Sequence, residues 1–172
     1  EPVPPIVTPG NTNSAPPSDA IILFDGTNLD QWVSTKDKSP AGWTVADGVV
    51  TVKKTAGNIE TKRSFKNYQL HLEWRIPPDI TGADQARGNS GLFLASTGGG
   101  DGGYELQILD SYNNKTYVNG QAASIYKQGI PLASVYQALR NERVLFERAG
   151  GEPDPSHRQV GDGQTGALVA DE

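Results

Sequence analysis

A chain of 172 residues with 35 % hydrophobic residues, 20 Gly and 12 Pro fits one loop-rich domain better than a helical bundle. Its formal charge of −5 lacks the electrostatic footprint of a nucleic-acid or anionic-membrane binder, and no apolar run reaches the length of a membrane span. With no Cys there is no disulfide, thiolate metal site or Cys nucleophile, and the absence of Met even at position 1 suggests a mature product after removal of an export signal.

Residues 1–19 hold six Pro among Asn, Ser and Thr and show no apolar periodicity, so they read as an extended, disordered leader. The main domain is expected over 20–133. Ile21-Ile22-Leu23-Phe24 reads as a short strand stopped by Asp25-Gly26, and Leu29 and Trp32 as core anchors. Residues 42–46 and 49–52 flank Asp47-Gly48, a strong signal for a two-residue hairpin turn. Residues 58–61 form a short strand candidate. Residues 67–76 are the clearest strand, with Tyr68, Leu70, Leu72, Trp74 and Ile76 on one row and Gln69, His71, Glu73 and Arg75 on the other. Pro77-Pro78 ends it. The expected burial is of Leu70, Leu72 and Trp74, with the polar row facing a groove or solvent.

The stretch from Ala86 to Gln128 organises the rest. Residues 90–95 and 104–110 read as two strands joined by the Gly-rich run 97–103. In the second strand Leu106 and Ile108 point one way, while Glu105 and Gln107 point the other. Beyond Pro131 the texture changes: helix propensity and a broken apolar stripe predict a helix over 134–148, and residues from 150 onward read as disordered. Short strands separated by turn signals predict an all-β sandwich, a jelly roll left incomplete because residues 134–172 show no alternating pattern to close it.

If the strands over 67–76, 90–95 and 104–110 share one sheet, their polar rows converge. His71, Glu73, Arg75, Glu105 and Gln107 then line a groove with Arg87 and Asn89 at its edge. Carboxylates, amides and guanidinium groups bond to sugar hydroxyls, and Trp, Tyr or Phe93 offers a stacking face. Two carboxylates in one groove suit acid and base work. Each residue also has a plainer role: Glu73 and Arg75 as a solvated face, His71 as a structural His, the run 87–91 as a tight turn, and Tyr104 and Tyr126 as packing. Oxygens over 110–114 lack the spacing of a calcium loop, so no metal site is expected, and no cofactor is indicated. Phosphate-loop, zinc-protease and serine-esterase motifs are absent from the sequence.

Residues 24–32, the hairpin over 43–52, residues 70–77, Arg87-Gly88-Asn89-Ser90-Gly91 and residues 104–110 together resemble the 3-keto-disaccharide hydrolase domain family. Gly120-Gln121, residues 124–126 and Pro131-Leu132 continue the resemblance, which covers about 21–132 and departs afterwards. It implies a concanavalin-like jelly roll acting on sugar, secreted or periplasmic, with Glu105, Glu73 and His71 as the catalytic candidates. Arg75, Arg87, Asn89, Gln107, Tyr104 and Gln121 are the implied substrate-binding set. Three functions stay open: cleavage of a 3-keto-glycoside, ordinary hydrolysis by paired carboxylates, and non-catalytic sugar binding. The second is disfavoured where family-sixteen glucanases carry a third ionisable group on the strand and this chain has Gln107. Fold alone does not choose.

Overall fold

The computed structural model describes residues 3–4, 6–12, 15–96 and 102–131, together with the backbone of two later strands, 143–146 and 165–170. Among the described residues, nine strands and three 3-10 turns make up the regular structure. In chain order the strands are β1 (Trp32–Ser34), β2 (Thr44–Ala46), β3 (Val49–Thr51), β4 (Ile59–Thr61), β5 (Leu70–Glu73), β6 (Ser90–Ser96), β7 (Tyr104–Ile108), β8 (Arg143–Phe146) and β9 (Thr165–Ala170). The chain is all-β, consistent with a β-sandwich.

β1, β4, β9, β6 and β7 form one sheet in that order, β2 pairs with β3, and β5 pairs with β8. The β2–β3 hairpin follows directly from its turn residues. Asp47 and Gly48 both have positive φ, 52° and 74°, the left-handed pair that a two-residue turn between twisted strands requires. Phe93 of β6 stands opposite Glu105 of β7, Gly91 opposite Gln107, and Leu92 opposite Leu106. One face of the sheet therefore carries Ile59, Leu92, Leu106 and Ile108, all buried. The other carries Val33, Glu60, Gly91, Phe93, Glu105 and Gln107. The segment after β7 returns along its free edge: the Ser124 carbonyl accepts from the Gln107 amide at 2.9 Å, and the Tyr126 amide donates to the Glu105 carbonyl at 2.9 Å. That return covers what would be an exposed strand edge.

Four expectations are corrected. Ile21 and Ile22 are exposed and no strand forms over 21–24, because no neighbouring strand offers that segment a ladder. Leu70, Leu72 and Trp74 alternate with exposed polar residues as expected but are half-buried, not buried. β5 pairs with β8 and shares no ladder with β6 or β7, so the premise that joined the three polar rows in one sheet does not hold. The largest correction lies at the C-terminal end. Arg143–Phe146, placed in a helix by propensity, is a strand on β5, and Thr165–Ala170 is a strand between β4 and β6. A strand paired at both edges is held by its two ladders whatever its side-chain pattern, and Thr-Gly-Ala-Leu-Val-Ala shows no alternation of polar and apolar residues. The sheet is thus closed where an open one was expected. The remainder of the expected helix over 134–148 and of the expected disordered tail lies outside the described residues.

Candidate functional site

The site is built on the paired centre of β6 and β7. Gly91 leaves the space above β6 empty, and the Glu105 side chain fills it: a Cβ on Gly91 would stand 2.9 Å from Cγ and 3.0 Å from Cδ of Glu105. Two residues along the strand, on the same face, Gln107 is only 1 % exposed. The expectation that Gln107 faces a groove or solvent is corrected here. Its amide turns inward, where Nε2 donates to Gln85 Oε1 at 2.8 Å. Gln85 sits on the 3-10 turn Asp84–Ala86, and its own Nε2 donates to the Gly120 carbonyl at 2.9 Å and to Thr116 Oγ1. A buried amide must have such partners, and a line of them orients each group by its neighbour.

Two tyrosines stand beside this line. The hydroxyls of Tyr117 and Tyr126 are hydrogen-bonded to each other, and the ring centroids lie 6.0 Å apart at 51°. Tyr117 is held protonated well above the ordinary phenol range. Loss of solvation around its hydroxyl is the main cause, followed by the bond to Tyr126 and the negative charges of Asp84 and Glu105. The ring itself is 38 % exposed, but the hydroxyl is the part turned against Tyr126.

Arg87 and Asn89 border the site, and their visible bonds hold loops in place. Arg87 Nε pairs with Asp110 Oδ2 at 3.0 Å, and its Nη2 donates to the carbonyls of Asp110, at 3.2 Å, and Tyr112. Asn89 Nδ2 donates to the Gln85 carbonyl at 2.8 Å. Asn114 Nδ2 donates to the carbonyls of Asp84 and Asp110, both at 2.8 Å, so the oxygens over 110–114 join two loops. No cluster of metal-ligating side chains occurs among the described residues.

The remaining candidates lie outside the β6–β7 ladder face of Glu105. His71 Nε2 and Glu73 Oε1 lie 3.3 Å apart on the exposed row of β5, with Arg75 beyond them on the same row. Tyr104 is half-exposed, at the far end of β7, on the Leu106 face and therefore opposite to Glu105. Gln121 is half-buried, and its carbonyl accepts from the Ser124 amide at 3.1 Å. The ladders thus bring together Glu105 and Gln107, with Asn89 joined to them through Gln85.

Sequence reasoning missed Gln85, Gly91 as the seat of Glu105, and Tyr117. Nothing in the pattern around Gln85 signals its role, because its partners come from positions about thirty residues later. Glu60 was also passed over as a strand residue. It is buried on the same face as Glu105, paired with Lys38 through Oε1, while Oε2 has no hydrogen-bond partner. Register places it in the row Val33–Glu60–Ala167–Phe93–Glu105. Three strand spacings separate the backbones of the two glutamates, about 14 Å.

The model of the 3-keto-alpha-glucoside-1,2-lyase-like domain family matches residues 19–164. The match runs past Leu132, so the family pattern extends into the C-terminal part that residue reading alone set outside it. A 3-keto-disaccharide hydrolase from Bacteroides thetaiotaomicron is 28 % identical over 135 residues, covering 62 % of this chain and 44 % of its own length. The chain therefore spans less than half of that curated relative. A solved structure from Parabacteroides distasonis, provisionally described as a glycosyl hydrolase, is 37 % identical. Its TM-score is 0.77, over 98 % of this chain and 85 % of the other.

Proposed function

We propose that this chain, which belongs to the 3-keto-alpha-glucoside-1,2-lyase-like domain family, cleaves the glycosidic bond of a sugar already oxidised to a 3-ketone. The observation that carries the reading is Glu105: a carboxyl group seated over Gly91, backed by a buried amide, inside the segment that most resembles the family. The ketone acidifies the hydrogen on the neighbouring ring carbon. A base removes that proton, the electron pair forms a double bond towards the anomeric carbon, and the aglycone oxygen leaves and takes up a proton. Water adds afterwards. Glu105 handles a proton in this scheme, and the linked His71 and Glu73 are the candidates for the second proton-handling group. Arg75, Arg87, Asn89 and Gln121 are carried as the substrate-binding set, whereas Gln107 is buried and Tyr104 lies on the opposite face of β7. We read the sandwich as a concanavalin-like jelly roll acting on sugar, in a protein that is secreted or periplasmic.

Ordinary hydrolysis by two carboxylates is the weaker reading. Glu60 is the other described carboxylate on the Glu105 face, and it is buried and paired with Lys38; the position that family-sixteen glucanases fill with an ionisable group is Gln107 here. The test is incubation with a 3-keto-disaccharide beside its unoxidised parent, following the released reducing end. Cleavage of the ketone alone is expected. Cleavage of the parent supports ordinary hydrolysis, and binding without turnover supports a non-catalytic sugar module.

A further inference from the structure

The segment that returns along β7 has a register of its own. Leu106 and Ile125 stand opposite each other in an antiparallel bridge. Tyr126 therefore stands across from Glu105, and Ser124 across from Gln107, both on the Glu105 face. Cβ atoms opposed in this way lie about 4.5–5.5 Å apart. Tyr126 is half-buried, and it extends the Glu105 row at the strand edge instead of filling a core.

Tyr117 completes a pair. Its ring occupies the space that Gly120 leaves: a Cβ there would stand 2.7 Å from Cζ of Tyr117. The Gly120 carbonyl accepts from Gln85, so the seat of Tyr117 and the amide line through Gln107 end on one residue. The hydroxyls of Tyr117 and Tyr126 are bonded to each other, and neither makes a further hydrogen bond among the described residues. Each phenol brings one O–H. Their mutual bond uses one of the two protons, so the pair presents one unused donor beside Glu105. The Tyr117 ring is exposed, and a ligand can reach the pair.

The bond also has a direction. It is one of the causes that hold the proton on Tyr117, which is the effect of a bond that Tyr117 donates, and the charges of Asp84 and Glu105 act in the same sense. The Tyr126 O–H is then the unused donor. Lys127 Nζ lies over the Tyr126 ring at 5.2 Å and sets a positive charge against it.

We infer that the Tyr126 hydroxyl binds the ketone oxygen of the oxidised sugar, with Tyr117 as the positioning residue that orients it, an assignment that rests on the proposed reaction for the identity of that oxygen. In that reaction the proton leaves the ring carbon between the ketone and the anomeric carbon, and the electron pair moves onto the ketone oxygen as an enolate. The phenol donates a hydrogen bond to that oxygen and keeps its own proton. The charge then returns: the C=O bond re-forms, the new double bond lies towards the anomeric carbon, and the aglycone oxygen leaves and takes up a proton. The carbon that loses the proton and the carbon that bears the oxygen are bonded to each other, so base and donor have to be neighbours. Glu105 and Tyr126 are neighbours across the strand edge. A donor aimed at an oxygen that gains charge stabilises the transition state more than the bound substrate.

Tyr126→Phe keeps the ring and deletes the donor. Its kcat/KM on a 3-keto-disaccharide is expected to fall by about 10² to 10³. Tyr117→Phe deletes only the support, and a loss of about two- to tenfold is expected. Calorimetry in Glu105→Gln, where the ligand is not consumed, adds a readout that a merely structural role would not move. The 3-keto-disaccharide is expected to bind more tightly than its unoxidised parent, and adding Tyr126→Phe is expected to make the two bind alike. A folded Tyr126→Phe with the wild-type kcat/KM overturns the inference, as does a preference for the ketone that is absent or that survives Tyr126→Phe. Should Tyr126→Phe fail to fold, NMR of protein labelled at tyrosine Cζ decides, with Tyr117→Phe identifying the signals of the pair. Those signals are expected to move with the ketone and not with the parent, and unmoved signals overturn the inference. A Tyr126-dependent preference for the ketone in a protein whose wild type shows no turnover would overturn the proposed reaction and leave the ketone site standing.

Discussion

Glu105 of β7 lies across Gly91 of β6, close enough that a single added methyl group on Gly91 would meet the body of the Glu105 side chain at 2.9 Å. The Glu105 backbone is held by the Tyr126 amide at its carbonyl, so the contact is relieved by turning the Glu105 side chain. Gly91→Ala is therefore expected to misplace the carboxyl group. The outcome should be a loss of at least about tenfold in kcat/KM on a 3-keto-disaccharide, with a stability cost of about 1–3 kcal/mol. Steady-state kinetics and a melting curve on the same preparation check both.

Glu105→Gln keeps the shape of the side chain and removes its ability to give up or take a proton. Turnover is expected to fall by about 10² to 10⁴, with sugar binding retained when measured by calorimetry. An unchanged rate would remove Glu105 from the mechanism.

Arg87 supports the loops around the site through one ion pair and two backbone carbonyls. Its side chain is 20 % exposed and that of Asp110 23 %, so the pair is only partly screened by solvent. Arg87→Ala leaves a carboxylate and two carbonyls without this donor, and is expected to cost about 2 kcal/mol. Chemical denaturation measures it. A change below about 0.5 kcal/mol would show that water replaces the guanidinium at no cost.

Tyr117 is expected to make stability fall in alkali. Its folded-state proton is held more tightly than that of an unfolded tyrosine, chiefly because its hydroxyl is desolvated. The contribution is therefore fully present below the unfolded value of about 10 and declines as pH rises beyond it. Denaturation of the wild type and Tyr117→Phe at pH about 9 and about 11 should show the smaller decline in the variant. Equal declines would place the alkaline sensitivity elsewhere.

Removal of Thr165–Ala170 is expected to abolish cooperative unfolding, since β9 pairs with β4 on one side and with β6 on the other. Both neighbours would lose a ladder at once. A sharp melt in the truncated chain would show that β4 and β6 close on each other directly.

Much of the β-structure was legible because it is local. Asp47-Gly48 specifies its own hairpin, and the alternation through residues 68–76 survives in the burial of every second residue. Glu105 was legible because it breaks an apolar strand and lies in the segment that most resembles the family. Partnership across the chain was not. β5 carries the same pattern whether it pairs with β6 or with β8, and only a tertiary contact decides. Gln85 looks like any loop glutamine until Gly120 is beside it. β9 failed to register because Thr-Gly-Ala-Leu-Val-Ala lacks the alternating signature by which strands are recognised.

The position of β9 also governs how this chain can come to be folded. Ile59 on β4 waits for Leu168 as its partner, and Leu92 on β6 waits for the same residue. Until that late segment arrives, the β1–β4 and β6–β7 pairs are two half-sheets, each with one unsatisfied edge. Such long-range pairing folds slowly, and open edges meet other chains in the interval. Refolding yield should therefore depend steeply on protein concentration, and growth of the chain on the ribosome leaves both edges uncovered until β9 emerges.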